Sequence, residues 1–164
     1  MNRREREVRT QEELFEILDQ CKLCRLAMHD GEDIYVVPIN FGYEVIESDD
    51  PTAEALRLWF HGAKKGQKLD LLRKNPRVGF EMDCNIQLIE SHSVCSFSYT
   101  YMSLVGKGKV TIVNDTDYET KYRALKHIFE HQAKKLFPRL PENKLENITT
   151  YYVDVEDITG KKRV

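Results

Sequence analysis

Between Phe60 and Leu72 the chain reads Phe-His-Gly-Ala-Lys-Lys-Gly-Gln-Lys-Leu-Asp-Leu-Leu, a strand pattern entering a basic, glycine-punctuated turn and then a helix pattern. Leu56, Leu58 and Phe60 alternate with Arg57, Trp59 and His61, the period of a half-buried strand. Gly62 and Gly66 permit a sharp turn and close approach of a ligand to the backbone. Lys64, Lys65 and Lys68 bring positive charge to the start of a helix, whose unpaired N–H groups already favour anions. The chemistry on offer is capture of a phosphate. The same residues would also serve an ordinary strand-turn-helix connection with solvated lysines.

Other reactive patterns carry less. His127-Ile128-Phe129-Glu130-His131 has the H-x-x-E-H spacing that places two histidines one helical turn apart on zinc. Such a site needs another ligand, and the carboxylates after His131 fall in a loop and a terminal strand, so two ordinary histidines on a helix flank are expected. Cys21 and Cys24 form one CxxC pair, but Cys84 and Cys95 are too widely spaced to supply a second, and Cys24 opens a strand pattern. Buried free thiols are expected in place of a zinc ribbon or redox dithiol. No serine lies in a nucleophile-elbow pattern. Asp49 with Asp50, and Asp154 with Glu156, read as solvated charges. Trp59, Phe60, Tyr99 and Tyr101 are able to stack on a base or cofactor ring, and equally suit a core.

The elements that would hold these residues are mostly strands. Thr10 and Glu13 have capping-box spacing ahead of Leu14, Ile17, Leu18 and Cys21 on one helical face. Leu23 to Met28, a turn at Asp30-Gly31-Glu32-Asp33, and Ile34 to Tyr43 read as a hairpin. Pro38 cannot donate to a ladder, which puts it at an edge or bulge. Glu44 to Glu54 reads as an acidic surface loop, and the short helix after the basic turn ends near Asn75-Pro76. Arg77 to Asp83 alternates as a strand, Cys84 to Ser98 reads as irregular, and β character resumes from Tyr99 to Val113. Gly106 and Gly108 give that strand one smooth face, suited to a flat ligand, a helix or a neighbouring chain, or to simple curvature. Asn114 or Asp115 caps a helix to about Gln132, with Tyr118, Tyr122, Leu125, Ile128 and Phe129 as its apolar side. A proline-containing linker from Phe137 to Pro141 then precedes a final strand, Tyr151 to Ile158.

Short turns between strands predict a mainly β, predominantly antiparallel sheet or barrel with flanking helices. The 164 residues, 41% hydrophobic, fit a single domain spanning 1–164. A charged start with no following apolar h-region predicts a cytoplasmic protein, and no run is long enough for a membrane span. A net charge of −2 argues against nucleic acid and suits small anions better.

Three blocks occur together: Val36-Val37-Pro38-Ile39-Asn40-Phe41-Gly42-Tyr43, Phe60 to Lys68, and Tyr99-Thr100-Tyr101-Met102-Ser103-Leu104-Val105-Gly106-Lys107-Gly108. In this order the chain resembles the nitroimidazole-resistance branch of the pyridoxamine phosphate oxidase-like flavoproteins, over nearly its whole length. The resemblance implies an FMN-binding split β-barrel and a homodimer with FMN at the subunit interface. It implies that Lys68 and the backbone of His61, Gly62 and Ala63 hold the FMN phosphate, and that Val37, Pro38, Ile39 and Asn40 line the ring edge. Ser103 and Val105 would contribute from the later strand, in the partner subunit. Gly62 stands where a serine is common and Met102 where an arginine often precedes the serine. The implied activity is FMN-dependent electron transfer from a reduced nicotinamide donor to a small organic acceptor, such as a nitroaromatic. The alternative is a carrier or sensor of the same fold that holds flavin or haem without turnover.

Overall fold

The structure, a computed structural model, describes residues 4–46 and 55–164. The first residues of the chain and Asp49, Asp50 and Pro51 of the expected acidic loop lie outside the described residues. Helix α1 (Gln11–Gln20) starts where Thr10 Oγ1 accepts the amide hydrogen of Glu13 at 3.2 Å, and it buries Ile17 and Leu18. Strands β1 (Leu23–Asp30) and β2 (Asp33–Asn40) form the expected hairpin around Gly31, whose φ of 67° favours glycine. The expected single strand from Ile34 to Tyr43 is two strands. β2 ends at Asn40, and after Phe41 the chain begins β3 (Gly42–Ile46). β2 pairs with β1, whereas β3 pairs with β4 (Ala55–Ala63), and the fully buried Phe41 marks the change of direction.

Helix α2 (Gln67–Lys74) follows β4 and stops at Asn75, ahead of Pro76. Strand β5 (Arg77–Ile89) runs well into the stretch expected to be irregular, because a bulge at Asn85, with φ 56°, absorbs a change of register against β6 (Ser98–Ile112). Helix α3 (Tyr118–Ala133) is capped by Asp117, not by Asn114 or Asp115, and β7 (Ile148–Arg163) extends beyond the expected strand at both ends. The strands form one antiparallel sheet in the order β2-β1-β5-β6-β7-β4-β3. Its edge strands are neighbours in sequence, so the sheet rolls until the edges meet at Phe41 without hydrogen bonding to each other. This is a split β-barrel.

Leu26, Met28, Leu58, Phe60, Phe80, Met82, Leu104, Tyr151 and Val153 fill the interior, and α1 and α2 add Ile17, Leu18, Leu69, Leu71 and Leu72 to the same cluster. Each full burial of such a side chain is worth about 1.5–3 kcal/mol. Gly106 and Gly108 face inward, where the Phe80 ring and Val153 already occupy the space, so their smooth face receives core side chains and no ligand. Trp59, expected on the open side of a half-buried strand, is also fully buried, because α3 covers the outer side of β4 and packs Ala124 and Ile128 against it. The buried face of α3 is Lys121, Ala124, Leu125, Ile128 and His131; Tyr118, Tyr122 and Phe129 lie on its flank. Cys21 and Cys24 are buried free thiols, Cys84 is half-buried, and Cys95 is exposed, contrary to the expectation for all four. Among the described residues no helix is long and apolar enough to cross a membrane.

The seam tolerates little change. A Cβ on Gly42 would lie 2.4 Å from the α3 backbone at His127 and Ile128, whereas one on Gly79 would meet nothing nearer than 3.8 Å. Gly42→Ala should therefore cost about 2–3 kcal/mol and lower Tm by several degrees. Gly79→Ala should leave the melt nearly unchanged, and equal circular-dichroism melts for the two variants would refute the close seating of α3.

Candidate cofactor site

The basic segment is built from the end of β4. Gly62 lies within the strand, opposite Thr149, so the turn is made by Lys64, Lys65 and Gly66 and not by Gly62 as its type predicts. Gly66, with φ 136°, opens α2, and no side chain caps that helix end. Lys68, in the first turn, folds back over β4. Its Nζ lies 3.4 Å from where a Gly62 Cβ would sit and 5.5 Å from the centre of the Tyr151 ring. Lys64 pairs with Asp115 at 3.2 Å, and Lys65 is exposed.

Lys68 is half-buried and, among the described residues, has no carboxylate partner and no hydrogen bond. Burial pulls its ammonium below the ordinary lysine range. His61 is likewise held below the usual histidine range, by burial first and the Lys68 charge second, and so favours the neutral ring. Tyr35, Ala63, Lys65, Gly66 and Lys68 surround a recess of about 210 Å³. A half-buried cation with no counter-ion among the described residues, beside bare Gly62 backbone and an uncapped helix end, can hold a phosphate.

The other predicted residues fall into two groups. Pro38 and Asn40 are exposed on β2, Val37 is half-buried, and the Ile39 side chain enters the core. β2 is an edge strand, as Pro38 requires. Asn40 and His61 meet in a second, apolar recess under α3. Ser103 and Val105 stand apart. The register runs Pro38–Arg25–Glu81–Val105 across the outer face, three strand spacings or on the order of 14 Å along the sheet. Met102 points the other way, into the core, where its sulfur accepts from Asn85 Nδ2 at 3.6 Å.

Sequence reasoning missed two polar anchors of α3. Glu44, assigned to an acidic loop, sits in β3 and accepts from Trp59 Nε1 at 3.1 Å and Arg123 Nε at 3.0 Å. Burial alone would raise its pKa, but Arg123, His127 and Trp59 hold the carboxyl below the ordinary range. Lys121 is fully buried and reaches Asp115 at 3.2 Å. No local periodicity marks either residue, since their partners are distant in sequence or fixed only by folding. The two histidines of the H-x-x-E-H pattern serve separately. His127 stacks on Trp59 and lies 3.4 Å from Glu44, while His131 Nε2 lies 2.8 Å from the Cys21 carbonyl oxygen.

Residues 10–162 match the family model described as pyridoxamine 5′-phosphate oxidase. The chain belongs to the pyridoxamine 5′-phosphate oxidase family. Among solved structures, it is similar to a candidate 5-nitroimidazole antibiotic resistance protein from Bacteroides thetaiotaomicron, at 29% identity and a TM-score of 0.75, over 94% of this chain and 85% of that one. Two further structures share the fold at low identity. The flavocytochrome from Azotobacter vinelandii is 17% identical, with a TM-score of 0.74, over 100% of this chain and 72% of that one. The FAD- and haem-binding protein from Mycobacterium smegmatis is 16% identical, with a TM-score of 0.72, over 96% and 73% respectively. No curated protein sequence gives a match.

The family barrel also fixes a pH response. Since a carbonyl only accepts, His131 Nε2 carries the proton, leaving a buried Nδ1 with no partner. Burial lowers the pKa of His61, His127 and His131 alike. The unfolded chain therefore takes up more protons as pH falls, so this contribution to stability is complete above about pH 6.5 and is lost progressively below it. Tm should fall between pH 7 and 5, and His131→Gln should flatten the slope. An unchanged slope would remove His131 from that account.

Proposed function

We propose that this protein is an FMN-dependent oxidoreductase that passes electrons from a reduced nicotinamide donor to a small organic acceptor, with two copies of the chain forming each cofactor site. The observation that carries the reading is Lys68, a half-buried cation with no carboxylate partner among the described residues, in a member of this family. The phosphate of FMN supplies the missing charge, and the uncapped start of α2 beside Gly62 supplies amide donors. When bound, FMN supplies the two-electron chemistry.

The chain's own residues orient and shield. The free edge of β2 from Val37 to Asn40 offers main-chain groups to a ring, and Pro38, lacking an N–H, keeps another strand from taking that edge. His61, kept neutral, adds no second cation beside Lys68. Ser103 and Val105 lie three strand spacings from Pro38 along the outer face, too far to meet the β2 edge at one ring within one chain. A second copy supplies them in this reading, and that assembly would also cover Leu23, Ile34, Val36 and Val105, which are 48%, 70%, 54% and 54% exposed. A nitroaromatic fits as one acceptor, by likeness to the Bacteroides protein.

Purified protein should be yellow and release FMN on acid treatment, and its flavin should bleach anaerobically with NADH or NADPH and recover with an acceptor. Reduction by dithionite but by neither nicotinamide would leave a carrier. Lys68→Ala should weaken FMN binding about 10–100-fold without unfolding the chain; equal flavin content after identical purification would remove Lys68 from the site. Light scattering should give a dimer mass, and a monomer retaining tightly bound flavin would overturn the shared site.

A further inference from the structure

At Lys134 α3 ends in a left-handed residue, φ 54°, whose amide closes on the Glu130 carbonyl at 2.9 Å. The chain is thereby turned back along the helix it has just left. Glu130 Oε1 accepts the Phe137 amide hydrogen at 3.3 Å, and the Phe137 ring packs between Tyr122 and Phe129, with ring centres 5.2 and 5.5 Å away. The returning segment forms one wall of a recess of about 310 Å³, and the α3 residues Leu125, Ile128 and Phe129 form the other. Leu140 and Ile148 complete the apolar lining, and His61 and Asn40 stand at its end.

We infer that this recess binds an uncharged, flat, mainly hydrocarbon small molecule, beside the cofactor site proposed above. The lining contains no carboxylate, lysine or arginine to offset an ionic ligand. A charged group entering it loses hydration without compensation, whereas an aromatic ring meets Phe129 and Phe137. The volume lies at the small end of ligand pockets, suiting one ring with a short substituent. His61 lines this recess and Ala63, two residues further along β4, lines the Lys68 recess, so the two adjoin at the end of that strand. The polar groups of the lining are the neutral His61 ring, the Asn40 amide and Gln132, whose Nε2 is already committed to the Lys22 and Phe41 carbonyls, which suits a hydrogen-bonding group at one end of an otherwise apolar ligand.

The test is equilibrium dialysis of the purified protein as isolated, with cinnamyl alcohol as the neutral probe and cinnamate as its anionic counterpart, flavin content being read separately by absorbance. The alcohol should bind at least about tenfold more tightly than the acid. Leu140→Trp, which fills the recess from the returning segment, should weaken binding of the alcohol by about tenfold or more with flavin content unchanged. Phe129→Glu, at a position 36% exposed and so tolerant of a charge, should do the same. Equal binding of alcohol and acid, or retention of alcohol binding in both variants, would overturn the inference. A protein that binds the alcohol but takes up no flavin would refute the reductase reading while leaving the recess as a binding site.

Discussion

The structure depends on one short constraint, the single residue Phe41 between the two edge strands of the sheet. With β2 and β3 at opposite ends of the strand order and one residue between them, a flat sheet is geometrically impossible. The sheet must curl, and its interior becomes the volume filled by Leu58, Phe60, Tyr151 and their neighbours. The same constraint leaves the seam unpaired. Helix α3 covers the region beside it: Gln132 Nε2 donates to the Phe41 carbonyl at 2.8 Å, and the Gly42 backbone lies against the helix where no Cβ would fit. Buried backbone groups at a seam need partners, and here a side chain supplies one.

Strand β4 is the beam on which the site rests, because it is buried from both sides. Leu58 and Phe60 point into the barrel, and Trp59 points into the cluster under α3. Glu44 ties the indole to Arg123, so the outer layer is joined by charge-assisted hydrogen bonds as well as by apolar contact. That rigidity extends to His61 and Gly62, which continue the strand, and Lys68 is carried by a helix whose leucines are locked in the same core. The candidate site so placed needs no loop to organise it.

The fold was largely legible in the sequence wherever a local pattern had a single explanation. Thr10 with Glu13, the Gly31 turn and the alternation from Arg77 all marked elements that exist, and Pro38 marked an edge. Legibility failed where the deciding partner was distant. Nothing near Trp59 foretells the helix that buries it, and the bulge that lets β5 continue past Cys84 depends on pairing with β6. Glycine misled twice. Gly62 was read as a turn and is a strand residue, and the smooth face of Gly106 and Gly108 fits Phe80 and Val153. At the candidate site the identity of Lys68 could be singled out from sequence, but its lack of a carboxylate partner among the described residues could not, since that depends on where distant carboxylates come to rest.

The strand order also governs how the chain can be made. Among the described residues, apart from the short strand β3, the only ladder available to β4 is with β7, the last of the seven strands. As the chain leaves the ribosome, the strand bearing His61 and Gly62 must wait, through the synthesis of three further strands' worth of sequence, for its permanent neighbour. Loop closure over that separation is slow compared with the β5–β6 hairpin, so the segment beside Lys68 is among the last to become fixed. A nascent chain interrupted before Ile148 could retain its central hairpins but would lack the β7 ladder that fixes His61 and Gly62.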